Sequence, residues 1–258
     1  MDRTSADIDR KGDFEPVERI DGRLDAGVLI VCDHARNALP ASYGTLGLPA
    51  AALERHIAYD IGAAWLTRRL AARLGAPAVL STFSRLLIDP NRGADDPTLV
   101  MRFSDGAIVP GNARVDAAEI ERRTEAYWRP YRDAVQATAA AMLAAGREPA
   151  IVAIHSFTPV WRGFARPWKA GVLYDRDGRL ARAVLQGLAE AGLASHEIGD
   201  NEPYSGGLPG DTIDAVATAR GWRNALIEVR QDLIATREAA EEWGDRLALL
   251  LRKAIEAA

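Results

Sequence analysis

The chain has one cysteine, Cys32, and a single thiol cannot close an intramolecular disulfide. A small disulfide-stapled scaffold is excluded. No apolar run approaches the roughly 18 residues that a membrane-spanning helix requires, and no block of like charge suggests a binding tail. Basic excess is missing too: a formal charge of −4 and a pI near 5.7 leave nothing over for neutralising a phosphate backbone. Neither nucleic acid nor a membrane is an expected partner. The opening stretch "MDRTSADIDRKGDFEPV" lacks the apolar core of a secretory signal, so the expected location is the cytoplasm.

What is present suffices for a core. The 258 residues are 48% hydrophobic, enough for one large domain or two small ones. Short apolar runs, "VLIVC" (28–32), "AVLST" (78–82), "RLLID" (85–89), "AIVAIH" (150–155), "AGVLYD" (170–175) and "ALIEV" (225–229), alternate with longer helical segments. That order predicts an α/β fold: a single three-layer domain over 1–258, with a mostly parallel or mixed central sheet flanked by helices. Residues 1–22 read as an irregular N-terminal segment.

The stretch "AALERHIAYDIGAAWLTRRLAARLG" spaces Leu53, Ile57, Ile61, Trp65, Leu70 and Leu74 close to the helical period, with Gly75 as a stop, and predicts one long helix. A second helical stretch opens where Asp116 can cap with Glu119 three residues on, and runs to Gly146. Pro130 should kink or split it. Further helices are expected over "RLARAVLQGLAEAG" and "REAAEEWGDRLALLLRKAIEAA". The long polar loops at 89–112, 156–169 and 199–212 carry arginines and aromatics, which favours functional loops.

Three apolar runs end in chemistry: His34, His155 and Glu228 stand at or just beyond their carboxyl ends. Open α/β sheets bind ligands there. A carboxylate inside "NALIEVR" needs a partner, either Arg230 two residues on in a buried pair, or a metal-bound water for which Glu228 is the general base. His56 and Asp60, four apart on the predicted helix, would share a face. A zinc hydrolase takes three ligands from His, Asp or Glu and leaves one position for water; His34, Asp60 and His155 would supply that set, with His56 replacing or supplementing Asp60. Fe²⁺, Co²⁺ or Mn²⁺ suit similar donors.

"FSRLLIDPNR" places Arg85, Asp89, Asn91 and Arg92 around a turn. Asp89 and Asn91 there can simply bond local backbone. The guanidinium fork matches a carboxylate, so Arg85 and Arg92, with Asn91, Arg162 and Arg230, are the candidates for holding a small amino-acid-like substrate. Cys32 in an apolar run reads as a buried hydrophobe rather than a nucleophile. Ser156 lacks the G-x-S-x-G elbow, and "YSGGLPGDT" misses both nucleotide-binding glycine patterns.

Taken together, "VCDHARNALP", "HIAYDIGA", "FSRLLIDPNR", "IHSFTP", "NEPYSGGLPGDT" and "ALIEVRQDLI" resemble, in order and over roughly residues 27 to 235, the N-formylglutamate amidohydrolase family. The resemblance implies a fold related to zinc exopeptidases and zinc-dependent peptidoglycan amidases, and hydrolysis of a linear amide such as the formyl–nitrogen bond of N-formylglutamate. It also implies Zn²⁺ on His34, Asp60 and His155, with Glu228 as base. Two other readings stay open: an amidase acting on peptidoglycan fragments, and a non-catalytic carboxylate-binding module of the same fold.

Overall fold

Strands covered on both faces are apolar throughout rather than alternating, and the central sheet follows that rule. The structure is a computed structural model that describes residues 14–256. Seven strands form one sheet: β1 Val17–Ile20, β2 Val28–Cys32, β3 Ala78–Ser81, β4 Ala150–Phe157, β5 Ala170–Leu173, β6 Ile198–Asp200 and β7 Asn224–Arg230. Their spatial order is β1-β3-β2-β4-β7-β5-β6. The central β3, β2, β4 and β7 are parallel, whereas β1 runs antiparallel to β3, and β5 antiparallel to β7 and parallel to β6. Every residue of β2, β3, β4 and β5 is buried.

Alternate residues of each strand face opposite layers. Val28, Ile30 and Cys32 point to one core, completed by helices α1 (Ala63–Leu74), α4 (Arg179–Glu190) and α5 (Arg237–Glu256). Leu29 and Val31 point to the other, where Tyr131, Val135 and Met142 of α3 (Arg129–Ala144) cover the sheet. The result is the expected α/β arrangement of a mixed sheet between helical layers. No described helix is long and apolar enough to cross a membrane.

The second helical stretch divides as Pro130 predicts. Asp116 caps α2 (Ala117–Arg123) by accepting from Glu119 N, a π-helical turn follows at Thr124–Trp128, and Pro130 sits in the first turn of α3, where its missing N–H is harmless.

Three expectations are corrected. Residues 1–22 are not irregular throughout, because Val17–Ile20 pairs with β3 as an edge strand; residues 1–13 lie outside the described residues. "RLLID" is a series of tight turns rather than a strand: Leu86, Leu87 and Ile88 are buried, but Leu87 N bonds back to Ser84 O at 2.9 Å. The long helix over 51–75 is broken. A single turn at Ala50–Leu53 ends well before α1, and Gly62 between them has φ +82°, with a Cβ there falling 2.1 Å from Ile234 O. Only glycine fits that approach. The apparent stripe misled because its Trp65 is 40% exposed, and the buried side of α1 is Ala63, Leu66, Thr67, Leu70 and Ala71.

Candidate metal centre

At the carboxyl ends of β2 and β4 the chain brings two imidazoles edge to face, with the ring centroids of His34 and His155 4.9 Å apart. Asp60 reaches them from the irregular segment before α1, where its N–H donates to His34 O at 2.9 Å. One carboxylate oxygen, Asp60 Oδ2, lies 2.8 Å from His155 Nδ1 and 3.4 Å from His34 Nδ1. The candidate ligand atoms of the three residues all lie within 4.8 Å of one another, close enough to share one ion. His56 and Asp60 do not share a helix face as predicted, but the loop still sets His56 Nδ1 3.5 Å from Asp60 Oδ1.

The other nitrogen of each ring is engaged by a second acid. His34 Nε2 donates to Asp89 Oδ1 at 2.7 Å, and His155 Nε2 to Asp33 Oδ2 at 3.1 Å. Imidazoles that hold a metal nearly always show this arrangement, which fixes the ring and leaves the opposite nitrogen facing the ion. Both acids are themselves anchored. Asp33 Oδ1 accepts from Tyr131 Oη at 3.0 Å and from Thr212 Oγ1. Asp89 accepts from the Arg85 guanidinium at 2.8 Å and from Asn91 N at 2.9 Å. Sequence reasoning missed Asp33 and read Asp89 as a turn residue, although each stood in a block that also carried a candidate site residue.

Burial opposes charge on His155, but its hydrogen bonds to Asp33 and Asp60 prevail and hold it well above the usual imidazole range. Burial likewise disfavours the Asp60 carboxylate, yet His34 and His155 keep it well below the usual range. For Asp89 the same burial is outweighed by Arg85 and His34.

Glu228 differs from these acids. It is 5% exposed and its Oε2 has no hydrogen-bond partner among the described residues. Burial pushes its carboxyl up to about 7, with His155 opposing and Asp60 adding to the rise. The expected buried pair with Arg230 does not form: Arg230 Nε donates to Asp232 at 2.8 Å and its Nη1 to Arg166 O at 3.2 Å.

These groups line a cavity of about 320 Å³, with Arg85, Asn91, Arg92, His56 and Tyr204 on its wall. Arg85 is largely spent on Asp89, with Asp60 Oδ1 a further 3.8 Å contact. Arg92 hydrogen-bonds to Thr98 Oγ1 and Asn91 O, and its Nε lies 4.0 Å from Asp96 Oδ2. Arg162 and Arg230 are corrections, since neither lines the cavity. Arg162 forms the tip of the hairpin Val160–Trp161/Phe164–Ala165 at φ +50°, its guanidinium over the Trp161 ring. Cys32 is fully buried, and burial pushes its thiol far up, which excludes it as a nucleophile.

Two nitrogen donors and a carboxylate suit Zn²⁺. Asp60 Oδ1 and His56 Nδ1, buried without hydrogen-bond partners among the described residues, fit the neighbourhood of a cation better than an apolar core.

The sequence profile described as N-formylglutamate amidohydrolase matches residues 26–235. Among solved structures, a gene product of Agrobacterium tumefaciens is 37% identical with a TM-score of 0.87, over 95% of this chain and 96% of that one. An N-formylglutamate amidohydrolase from Ralstonia eutropha shares the fold at 23% identity and a TM-score of 0.71, over 94% of this chain and 97% of that one. Among curated proteins, none matches the chain with significance. With a profile match running from just before β2 to just past β7, the chain belongs to the N-formylglutamate amidohydrolase family.

Proposed function

We propose that the protein is a metal-dependent hydrolase of linear amides, acting on N-formyl or other N-acyl amino acids and releasing a carboxylate and an amine. The observation that carries this reading is the pairing of two carboxylate-backed imidazoles with Asp60, beside a buried Glu228 whose Oε2 has no hydrogen-bond partner among the described residues. His34, Asp60 and His155 would hold the ion, with His56 next to the set. A divalent ion bound there supplies Lewis acidity toward the amide and its attacking water.

The chain's own residues do the rest. The water oxygen bonds to the carbonyl carbon while Glu228 takes its proton, and the carbon–nitrogen bond breaks as Glu228 returns that proton to the leaving nitrogen. A carboxyl poised near neutrality is suited to both transfers. Asp33 and Asp89 hold the two rings in orientation. Arg92, on the cavity wall with only a 4.0 Å contact to Asp96, fixes the substrate carboxylate, and Arg85 keeps Asp89 charged.

A cavity of about 320 Å³ suits a small amino-acid derivative better than a muropeptide. The test is amine release from a panel of N-formyl, N-acetyl and muropeptide substrates by protein loaded with one equivalent of zinc. Turnover of the small N-acyl amino acids is expected. A metal-loaded protein that binds these compounds and cleaves none would be a carboxylate-binding module instead.

A further inference from the structure

Tyr204 is a cavity residue that the steps above leave without a task. It stands on the 199–212 loop, which is fastened to the sheet edge. Asn201 Oδ1 accepts from Tyr174 N at 3.0 Å and Gly206 N at 3.1 Å, and Asn201 N donates to Val172 O at 3.0 Å. Gly171 of β5 makes the close approach possible, since a Cβ there would lie 2.0 Å from Glu202 O.

The phenol oxygen is held from behind by Arg166, whose Nη1 and Nη2 both donate to it at 3.3 Å. Arg166 is only 6% exposed. Among the described residues no carboxylate lies within ion-pair distance of it; its remaining partners are Thr158 O and Oγ1, and its guanidinium lies 5.1 to 5.6 Å from the ring centres of Tyr204, Trp161 and Phe157. A hydroxyl has one proton and two lone pairs. With two N–H groups directed at its oxygen, Tyr204 has no acceptor among the described residues for its own proton. A buried cation on its oxygen and a proton with no acceptor among the described residues make Tyr204, 40% exposed on the cavity wall, a polarised donor.

The charge around Tyr204 says what that donor faces. Glu228 and Asp60 line the same cavity as Tyr204, and after burial they are the groups that oppose ionisation of the phenol, against Arg166. A substrate carboxylate resting there would meet Glu228 while that acid is still charged and waiting for the water's proton. A carbonyl oxygen is different: it gains negative charge only when water adds, and by then Glu228 has taken the water's proton and is neutral.

We propose that the Tyr204 hydroxyl donates a hydrogen bond to the oxygen of the scissile carbonyl as negative charge builds on it, and that Arg166 is the positioning residue that fixes and polarises the phenol. No proton is transferred by Tyr204 and no bond to it is made or broken. The proposal rests on the amidohydrolase reading given above.

Tyr204→Phe keeps the ring and its packing while deleting the donor. The expected result is a fall in kcat of about 10²–10³, the usual effect of removing one oxyanion donor, with KM within about threefold and metal content unchanged. Calorimetry supplies the readout that turnover does not. A phosphinate analogue of the tetrahedral adduct should bind Tyr204→Phe more weakly by about the same factor as kcat/KM falls, whereas the carboxylate product should bind within about twofold of wild type. Arg166→Met should reproduce both losses, Arg166→Lys should restore part of them, and the double variant should be little worse than Tyr204→Phe alone. Unchanged phosphinate affinity in an active, metal-loaded Tyr204→Phe protein overturns the role of Tyr204 alone. A wild type that cleaves no N-acyl amino acid overturns the amidohydrolase reading and this role with it.

Discussion

Glu228 and His155 are direct partners across the parallel strands β7 and β4, so the proposed base and a proposed ligand are held together by main-chain register. No side-chain bond between them is needed to keep the spacing. The β7 strand continues antiparallel to β5, where Glu228 faces Gly171. The acid is thus fixed in the middle of a sheet, and its burial is a property of the fold.

That burial makes a prediction about stability. With its carboxyl raised to about 7 against an ordinary 4.5, Glu228 keeps its proton in the folded protein at pH values where the unfolded chain has lost it. Its contribution to stability therefore falls as pH rises from about 4.5 through 7. Glu228→Gln carries no such cost. In chelator, denaturant unfolding should show the glutamine variant gaining on wild type between pH 5 and 8, by up to roughly 3 kcal/mol. A gap that does not change with pH would mean that Glu228 is ionised throughout. The same variant should retain metal and lose turnover if Glu228 is the base.

Removing the acids behind the imidazoles tests the centre from the outside. Asp33→Asn and Asp89→Asn should each weaken zinc binding about 10–100-fold in chelator competition, through loss of ring orientation. Affinity equal to wild type in both would separate these acids from the metal.

Substrate selection is tested by pairing two arginines. Arg92→Ala should raise KM for acidic N-acyl amino acids by about tenfold or more with kcat little changed, the signature of lost uniform binding. Arg162→Ala, on the hairpin tip and outside the cavity, should leave both constants within about twofold. Equal effects of the two changes would remove Arg92 from the substrate site.

The sheet was legible because strands buried on both faces announce themselves as apolar runs, and five of the six runs form strands. "RLLID" failed because the same apolarity serves buried turns, which composition does not distinguish from a strand. The helix over 51–75 failed for a different reason. Alanine-rich sequence and a near-helical spacing outweighed Gly62, whose requirement arises from Ile234, far along the chain. At the site, His34 and His155 stood out as metal-binding residue types at strand ends and Asp60 as an acid on a predicted helix, and the fold places the three together. Asp33 and Asp89 did not stand out, since an acid's role as a histidine's partner exists only once the chain is folded. Arg166 and Tyr204 were hidden in the same way: an arginine without a carboxylate partner looks, in sequence, like any other arginine.

The most direct test is an anomalous-scattering map from crystals of zinc-loaded protein. The account predicts one peak per chain, bonded by His34 Nδ1, His155 Nδ1 and an Asp60 carboxylate oxygen, with Glu228 beside it and not bound to it. A peak elsewhere, or zinc-loaded crystals with no ion between the two imidazoles, would contradict it.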